Sequence, residues 1–325
     1  MRAQIVFMFS GQGSHYHQMG RALFDQQVVF RDWMERLDII AREMLGRSVV
    51  EHLYREENRP SAPFDNTLLT HPAIFMVEYS LARVLVDAGV SPTGVLGASL
   101  GEFTSLAVAD ALDYDSALRA VIRQAEHVES HCPAGGMIAI LADPGLYQRE
   151  PGLFENCDLV SVNLESHFVI AGQRQGIARA LAILKQLGAS FQVLPVSQGF
   201  HSSAMNPAAP VYRQFLRDLT LRPPRIRFAS CVEGELLQEV PSDYLWQAAR
   251  GPILFREAVK ALVRADTICL DLGPGGTLAN FIKHDRSFGS TLPAVSIMTR
   301  FGADLRNLEN ALDIIRRATT KTLPS

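Results

Sequence analysis

A serine flanked by glycines is the part of the sequence whose residue types most directly suggest chemistry. Residues 94–103 read GVLGASLGEF, so Ser99 follows a short apolar run and precedes a segment with helical periodicity. Small residues on either side permit a sharp strand-to-helix turn that would expose the Ser99 hydroxyl as a nucleophile. The same short pattern also occurs by chance as a glycine-rich turn. The interpretation therefore depends on the flanking elements and on a partner base.

Nine histidines compete for the role of that base. His201 is the best candidate, because it follows the apolar run FQVLPV and lies in the loop SQGFHSSAM. His71 precedes Pro72 at the start of a helical segment and is placed to line a cleft. We therefore expect Ser99 to act as nucleophile and His201 as base.

Two further glycine turns raise the alternative of nucleotide binding. FSGQGS (9–14) follows the first apolar run and could present backbone amides to an anion. It lacks the third glycine of a dinucleotide fingerprint, and GPGG (273–276) lacks the lysine and Ser/Thr of a P-loop. The sequence does not favour a nucleotide site.

The elements that must position these residues alternate between strand-length apolar runs and helical patterns. IVFMF (5–9), GVLGAS (94–99), RIRFASC (225–231) and TICLDLGPGG (267–276) predict strands of one mainly parallel layer. Four further strand candidates surround a helix over 176–188, and they lie between two stretches of helical pattern. We predict an α/β domain over 1–132 and 197–325, with a small α+β domain over 133–196 inserted in it.

Composition and charge argue against several classes of function for this chain. The chain has 325 residues, 47% of them hydrophobic, and a formal net charge of −3, which does not favour a nucleic-acid partner. No apolar run approaches the length of a membrane span, and the N-terminal apolar run fits a buried strand better than a signal peptide. The four cysteines are widely spaced, which predicts reduced thiols in a cytoplasmic protein and no zinc site.

Several separated motifs together resemble the malonyl-CoA:acyl-carrier-protein transacylase family, which includes the acyltransferase domains of polyketide synthases. The motifs occur in the family's order and cover nearly the whole chain: FSGQGS, THPAIF (70–75), GASLGE (97–102), VIAG, VSQGFHS (196–202), YLWQAARGPILF (244–255) and DLGPGGTL (271–278).

The resemblance implies a fold and a set of site residues. The fold is an α/β-hydrolase-like large domain with an inserted ferredoxin-like small domain. The residues are a Ser99–His201 dyad, an oxyanion hole from the N–H groups of Gln12 and Leu100, the Ala248 carbonyl as the acceptor that orients His201, and Asn163 and Phe200 near the acyl group. The family also implies an acyl carrier protein as partner, which carries the substrate on its phosphopantetheine, and no metal or redox cofactor.

The departures from the family pattern concern substrate charge. Malonyl-loading members carry an arginine twenty-five residues after the nucleophile, and this chain has Gln124 there. Losing a buried bidentate pair with a carboxylate typically costs ~3–5 kcal/mol, so we expect malonyl selectivity to be lost. Arg123 or His71 could supply another cation, although a one-residue step turns a helical side chain by about 100°.

We predict an acyl hydrolase that clears acyl groups from carrier proteins, because free-standing members of the family beside trans-acyltransferase polyketide synthases lack this arginine and do so. Phe200 in the loop after the strand suggests short or linear acyl groups. One alternative is a malonyl-CoA or other acyl-CoA:acyl-carrier-protein transacylase. The other, of a different class, is an inactive subunit that docks carrier proteins. An unrelated α/β-hydrolase esterase fits less well, because its histidine lies near the C-terminus.

Overall fold

The first apolar run forms a central strand of a six-stranded sheet in the computed structural model, which describes residues 3–150, 152, 155, 157–288 and 292–320. In spatial order the strands are β10 (Ala294–Ser296), β9 (Thr267–Asp271), β1 (Gln4–Phe9), β2 (Gly94–Gly97), β7 (Arg227–Ser230) and β8 (Leu236–Leu237). All neighbours run parallel except β7 and β8. The predicted mainly parallel layer is therefore present. The short edge strands β8 and β10 carry no apolar run long enough to predict them.

Parallel pairing brings the predicted turns together. Phe9 pairs with Gly97 in the β1–β2 register, so both strands end at the same edge of the sheet. The turn that begins at Ser10 and the turn that contains Ser99 therefore lie side by side.

Helices cover both faces of this sheet, and two more, the seventh and eighth in chain order among those described, belong to a smaller unit. They are α1 (Arg21–Gln26), α2 (Val28–Leu45), α3 (Val49–Leu53), α4 (Thr67–Asp87), α5 (Gly101–Val108), α6 (Tyr114–His131), α7 (Leu146–Arg149), α8 (Arg174–Gln186), α9 (Ala209–Leu216), α10 (Tyr244–Arg250), α11 (Phe255–Leu262), α12 (Thr277–His284) and α13 (Asp304–Thr320), with 3₁₀ turns at Ser203–Ala208 and Arg286–Phe288. Within the described ranges, no helix combines the length and apolarity that a membrane crossing requires.

The alternating side chains of β1 separate two apolar clusters. Phe7 and Phe9 join the larger cluster, which contains α2, α4, α5 and α6, whereas Val6 and Met8 face α11 and α12. The two-residue period of a strand thus places helices on both faces. Helix α4 is buried along almost its whole length, which explains why its sequence is apolar all round rather than amphipathic.

A second, four-stranded antiparallel sheet forms the small unit. Its order is β4 (Cys157–Leu164), β5 (His167–Gln173), β3 (Gly135–Ile140) and β6 (Phe191–Val193), and α8 packs on one face. Alternate residues of β3 face opposite ways: Ile138 and Ile140 contact the α8 side, while Met137 and Ala139 face the large unit. All four strands fall inside the predicted insert. The face of this sheet that α8 does not cover forms one wall of a cleft.

Candidate active site

The turn that carries Ser99 requires the glycines around it. Ser99 has φ 59, in the left-handed region that L-residues rarely adopt. A Cβ at Gly97 would collide with the backbone of Gly101, and one at Gly101 would collide with the carbonyl of Phe9. The chain between β2 and α5 therefore closes tightly and presents the Ser99 side chain at the sheet edge, as the glycine pattern predicts.

The structure brings Ser99 and His201 into direct contact. Ser99 Oγ lies 2.6 Å from His201 Nε2, although the two residues are 102 positions apart. His201 Nδ1 lies 2.8 Å from the carbonyl oxygen of Gly251. A carbonyl can only accept, so Nδ1 carries the proton and donates it, and Nε2 is left unprotonated toward the serine.

The predicted acceptor, Ala248, is wrong. The carbonyl that holds His201 belongs to Gly251, the first residue after α10. Ala248 lies inside that helix, where carbonyls point along the helix axis. Gly251 has φ −74 and ψ 168, so the chain leaves the helix there and its carbonyl is free to turn toward His201.

Burial keeps His201 in its neutral form. The pKa of His201 is lowered to about 4, mainly because burial disfavours the charged ring, while the hydrogen bond to Gly251 acts in the opposite direction. At neutral pH the ring is therefore a proton acceptor that points at the serine hydroxyl.

The two predicted oxyanion-hole residues flank Ser99. A Cβ built at Gly11 would lie 2.7 Å from Ser99 Cβ and 3.1 Å from its Oγ, so the turn that carries Gln12 is packed directly against the nucleophile. Leu100 precedes the first residue of α5, where N–H groups lack helical partners. Within the described chain, neither the Gln12 nor the Leu100 N–H donates a hydrogen bond to another residue. Among the described residues, both N–H groups are therefore left without a protein acceptor close to Ser99.

A cavity of about 540 Å³ opens onto the dyad between the two units. The small unit supplies a mainly apolar wall that includes Met137, Val160 and Val169, and Asn163 and Phe200 also line the cavity. Asn163 Nδ2 lies 3.2 Å from His167 Nδ1, which holds the amide at the wall. Two of the four residues expected to bind the acyl group therefore reach this space.

The other two, Gln124 and His71, do not line the cavity. Both are buried, and the His71 ring lies 5.2 Å from the ring of Phe200, which forms the wall on that side. Gln124 Nε2 and His71 Nδ1 have no hydrogen-bond partner among the described residues. Neither residue meets the expectation of lining the acyl site, and Phe200, which does line the cavity, packs against His71.

Neither proposed substitute cation lies in the cavity. Burial, followed by the nearby His15, lowers the pKa of His71 to about 3, so its ring is neutral at pH 7. Arg123 is exposed and pairs with Glu126 at 2.6 Å on the same helix. The buried side of the site therefore presents neutral groups.

Arg300 is a residue of the cavity that no motif in the sequence indicated. This side chain lines the cavity, and its Nη2 donates to the carbonyl of His15 at 3.2 Å. Arg300 is exposed and forms no ion pair with any residue that the structure describes. No sequence signal pointed to it, because β10, the strand that precedes Arg300, carries no apolar run long enough to be predicted.

The sequence matches known proteins along nearly its whole length. The acyl transferase domain family matches residues 6–320. The polyketide biosynthesis acyltransferase homolog PksD of Bacillus subtilis (strain 168) is 42% identical over 322 residues, which cover 99% of each chain. The homolog BaeD of Bacillus velezensis is 44% identical over 316 residues, which cover 97% of this chain and 98% of that protein.

Solved structures confirm the predicted fold class. The acyl transferase domain of SpnD matches with a TM-score of 0.89 and 28% identity, covering 99% of this chain and 78% of that one. The acyl-carrier-protein S-malonyltransferase from Burkholderia pseudomallei 1710b matches with a TM-score of 0.81 and 29% identity, covering 95% and 99%. A large α/β domain with a small ferredoxin-like domain is the arrangement they share with this chain.

Proposed function

The chain belongs to the acyl transferase domain family, and from that premise we propose that it is an acyl hydrolase of polyketide biosynthesis that releases acyl groups from acyl carrier protein thioesters. The names of PksD and BaeD support the polyketide context. The observation that carries the proposal is the 2.6 Å Ser99–His201 contact at a cavity whose described lining includes no buried lysine or arginine.

Acylation uses the dyad as it stands. Ser99 Oγ attacks the thioester carbonyl while its proton moves to His201 Nε2, and the oxyanion is stabilised by the free N–H groups of Gln12 and Leu100. The C–S bond then breaks, and His201 returns the proton to the phosphopantetheine sulfur. The carrier protein leaves as the free thiol, and Ser99 holds the acyl group as an ester.

Deacylation requires a second nucleophile at the same position. In the proposed hydrolysis, a water molecule gives a proton to His201 Nε2 and attacks the carbonyl carbon of the Ser99 ester. The bond between that carbon and Ser99 Oγ then breaks, His201 returns the proton to Ser99 Oγ, and the acid is released. The phosphopantetheine arrives on the partner, so the chain itself needs no metal or redox cofactor for either step.

The charges of the residues around the site favour an acyl group that carries no carboxylate. A carboxylate moved from water toward Gln124 would meet only a neutral amide, and His71 beside it is also neutral. Arg300 contributes a guanidinium group to the lining of the cavity, but this residue is exposed to solvent. A carboxylate bound beside Arg300 would therefore keep most of its own hydration. Phe200 closes the cavity on the side of His71, which favours short acyl chains.

Acyl transfer to a carrier thiol is the second candidate. It uses the same acyl-enzyme, and the match to a malonyltransferase favours it. An inactive docking subunit is the third candidate, and the intact Ser99–His201 contact argues against it.

Three measurements on the full chain separate the three candidate functions. The full chain is incubated with carrier protein loaded with acetyl or malonyl, and free carrier and released acid are followed by mass spectrometry, with Ser99→Ala as the control. We expect acetate release at least about tenfold faster than malonate release, because the carboxylate lacks a buried partner, and none from Ser99→Ala. Rapid malonyl transfer from coenzyme A with negligible acetate release would establish a transferase. No turnover and no covalent labelling of Ser99 by a fluorophosphonate would establish the docking subunit.

A further inference from the structure

A fully buried carboxyl group lies behind the two turns of the candidate oxyanion hole. Glu78, in α4, has no exposed surface. Its Oε1 accepts from the Ser10 N–H at 2.7 Å and lies 3.1 Å from Ser10 Oγ, while its Oε2 accepts from Thr104 Oγ1 at 3.0 Å. Every contact is with the segments that present Gln12 and Leu100.

The placement of these contacts is specific. Ser10 lies two residues before Gln12 in the turn after β1, and Thr104 lies one helical turn after Leu100 in α5. The Ala98 N–H also donates to the Phe9 carbonyl at 2.8 Å, so the two turns touch directly on one side. Glu78 joins them on the other.

A packing role alone does not account for a carboxyl group here. Burying a polar group is unfavourable unless its hydrogen bonds are made, and an apolar side chain of similar size would avoid that penalty. Burial raises the pKa of Glu78, and the nearby Asp271 adds to this effect. The group is thus held toward its neutral form, and a full negative charge would oppose the oxyanion.

We propose that Glu78 is a positioning residue that fixes the distance between the Gln12 and Leu100 N–H groups, and thereby sets the rate at which Ser99 is acylated. The proposal rests on Ser99 being the nucleophile of the proposed function, but not on the fate of the acyl-enzyme. Oxyanion stabilisation depends on donors held at hydrogen-bond distance from the developing charge. Loosening one turn against the other should therefore slow attack without changing substrate affinity.

The test compares two replacements of Glu78 with a matched replacement elsewhere. Glu78→Gln keeps an acceptor oxygen for the Ser10 N–H, whereas Glu78→Leu removes both acceptors. Asp38→Leu is the control, because Asp38 is also buried and accepts from backbone N–H groups, those of Val49 and Val50 at the start of α3, remote from Ser99.

Phosphonylation of Ser99 by an alkyl fluorophosphonate is the readout, since it precedes both hydrolysis and transfer. We expect Glu78→Leu to lower the maximal labelling rate at least about tenfold at unchanged half-saturation, with Glu78→Gln and Asp38→Leu within about threefold of the parent. If Glu78→Leu does not fold, Thr104→Val should slow labelling at least about threefold, because it frees one end of the same link.

Labelling of folded Glu78→Leu at the parent rate would overturn the proposal. An equal loss of labelling rate in Asp38→Leu would also overturn it, because the loss would then reflect lower stability alone. An equal loss in Glu78→Gln would overturn it too, because the charge of Glu78 and not its geometry would then set the rate. If the parent itself is not labelled, the proposed function fails at Ser99, independently of Glu78.

Discussion

The Gly251 carbonyl determines what kind of base His201 can be. A carbonyl fixes the tautomer by accepting from Nδ1, as a carboxylate would, but it brings no full negative charge to stabilise an imidazolium. Together with burial, this fits the lowered His201 pKa of about 4. The proton taken from Ser99 is therefore held weakly and is passed on readily to the leaving thiol.

Gln124 is buried outside the lining of the cavity, and one substitution tests whether its lack of charge still controls substrate choice. Gln124→Arg would place a guanidinium beside the neutral His71, where a malonyl carboxylate could pair with it. We expect the ratio of kcat/KM for malonyl- over acetyl-loaded carrier protein to rise at least about tenfold. Gln124→Met, of similar size and no charge, is the control and should leave the ratio near that of the parent. An unchanged ratio in folded Gln124→Arg would contradict the charge explanation.

At the scale of the elements, β2 and α5 form the rigid support of the nucleophile. Helix α5 is held on one side by the Glu78–Thr104 contact and on the other by Glu102, whose Oε1 accepts from the Cys231 N–H at 2.7 Å. The serine turn has little room to relax between these supports.

Replacing Gly97 by alanine tests that tightness. The added Cβ would collide with the Gly101 backbone, so we expect Gly97→Ala to lower the free energy of unfolding by about 2 kcal/mol or more and to abolish labelling of Ser99. Gly136→Ala in β3 is the matched control, since its Cβ would lie 3.7 Å from Ile177, at ordinary contact distance. Urea denaturation of both variants measures the difference, and equal stabilities would contradict the collision.

At the scale of the whole molecule, burial in the folded chain keeps titratable groups out of water, and their effects on stability have opposite signs. His15, His71 and His201 have pKa values lowered to about 4, 3 and 4 by burial, so their unfolded forms bind more protons below pH 6.5 and stability falls as the pH drops through that range. Burial raises the pKa of Glu102 to about 8, so the folded form holds the proton longer and stability falls as the pH rises toward 8.

Between pH 6.5 and 8 the histidines of the unfolded chain still lose protons, so the contribution of Glu102 is isolated by comparing the parent with Glu102→Gln. We expect the slope of unfolding free energy against pH to be more positive in Glu102→Gln than in the parent by about 1 kcal/mol per pH unit, because one bound proton corresponds to about 1.4 kcal/mol per pH unit. Glutamine keeps an oxygen for the Cys231 N–H. Denaturant titrations at intervals of half a pH unit measure the slope. An identical slope in parent and Glu102→Gln would show that Glu102 does not titrate there.

The sequence by itself determined the features that depend on neighbouring residues. The glycines around Ser99 predict the turn because a Cβ at Gly97 cannot be accommodated, and short apolar runs of strand length predict the strands of the small unit. The order of the motifs along the chain was sufficient to indicate the family and its fold.

Tertiary structure alone decided which distant atoms meet. Fifty positions separate His201 from Gly251. The carbonyl that accepts from His201 Nδ1 is that of Gly251 and not the predicted one of Ala248, because the end of α10, and not an offset in the sequence, determines where a carbonyl turns outward. The same holds for Gln124, which is buried and does not line the cavity, and for Arg300, which the strand β10 brings to the cavity. Local patterns specify local geometry, whereas contacts between elements depend on how side chains fill the space between them.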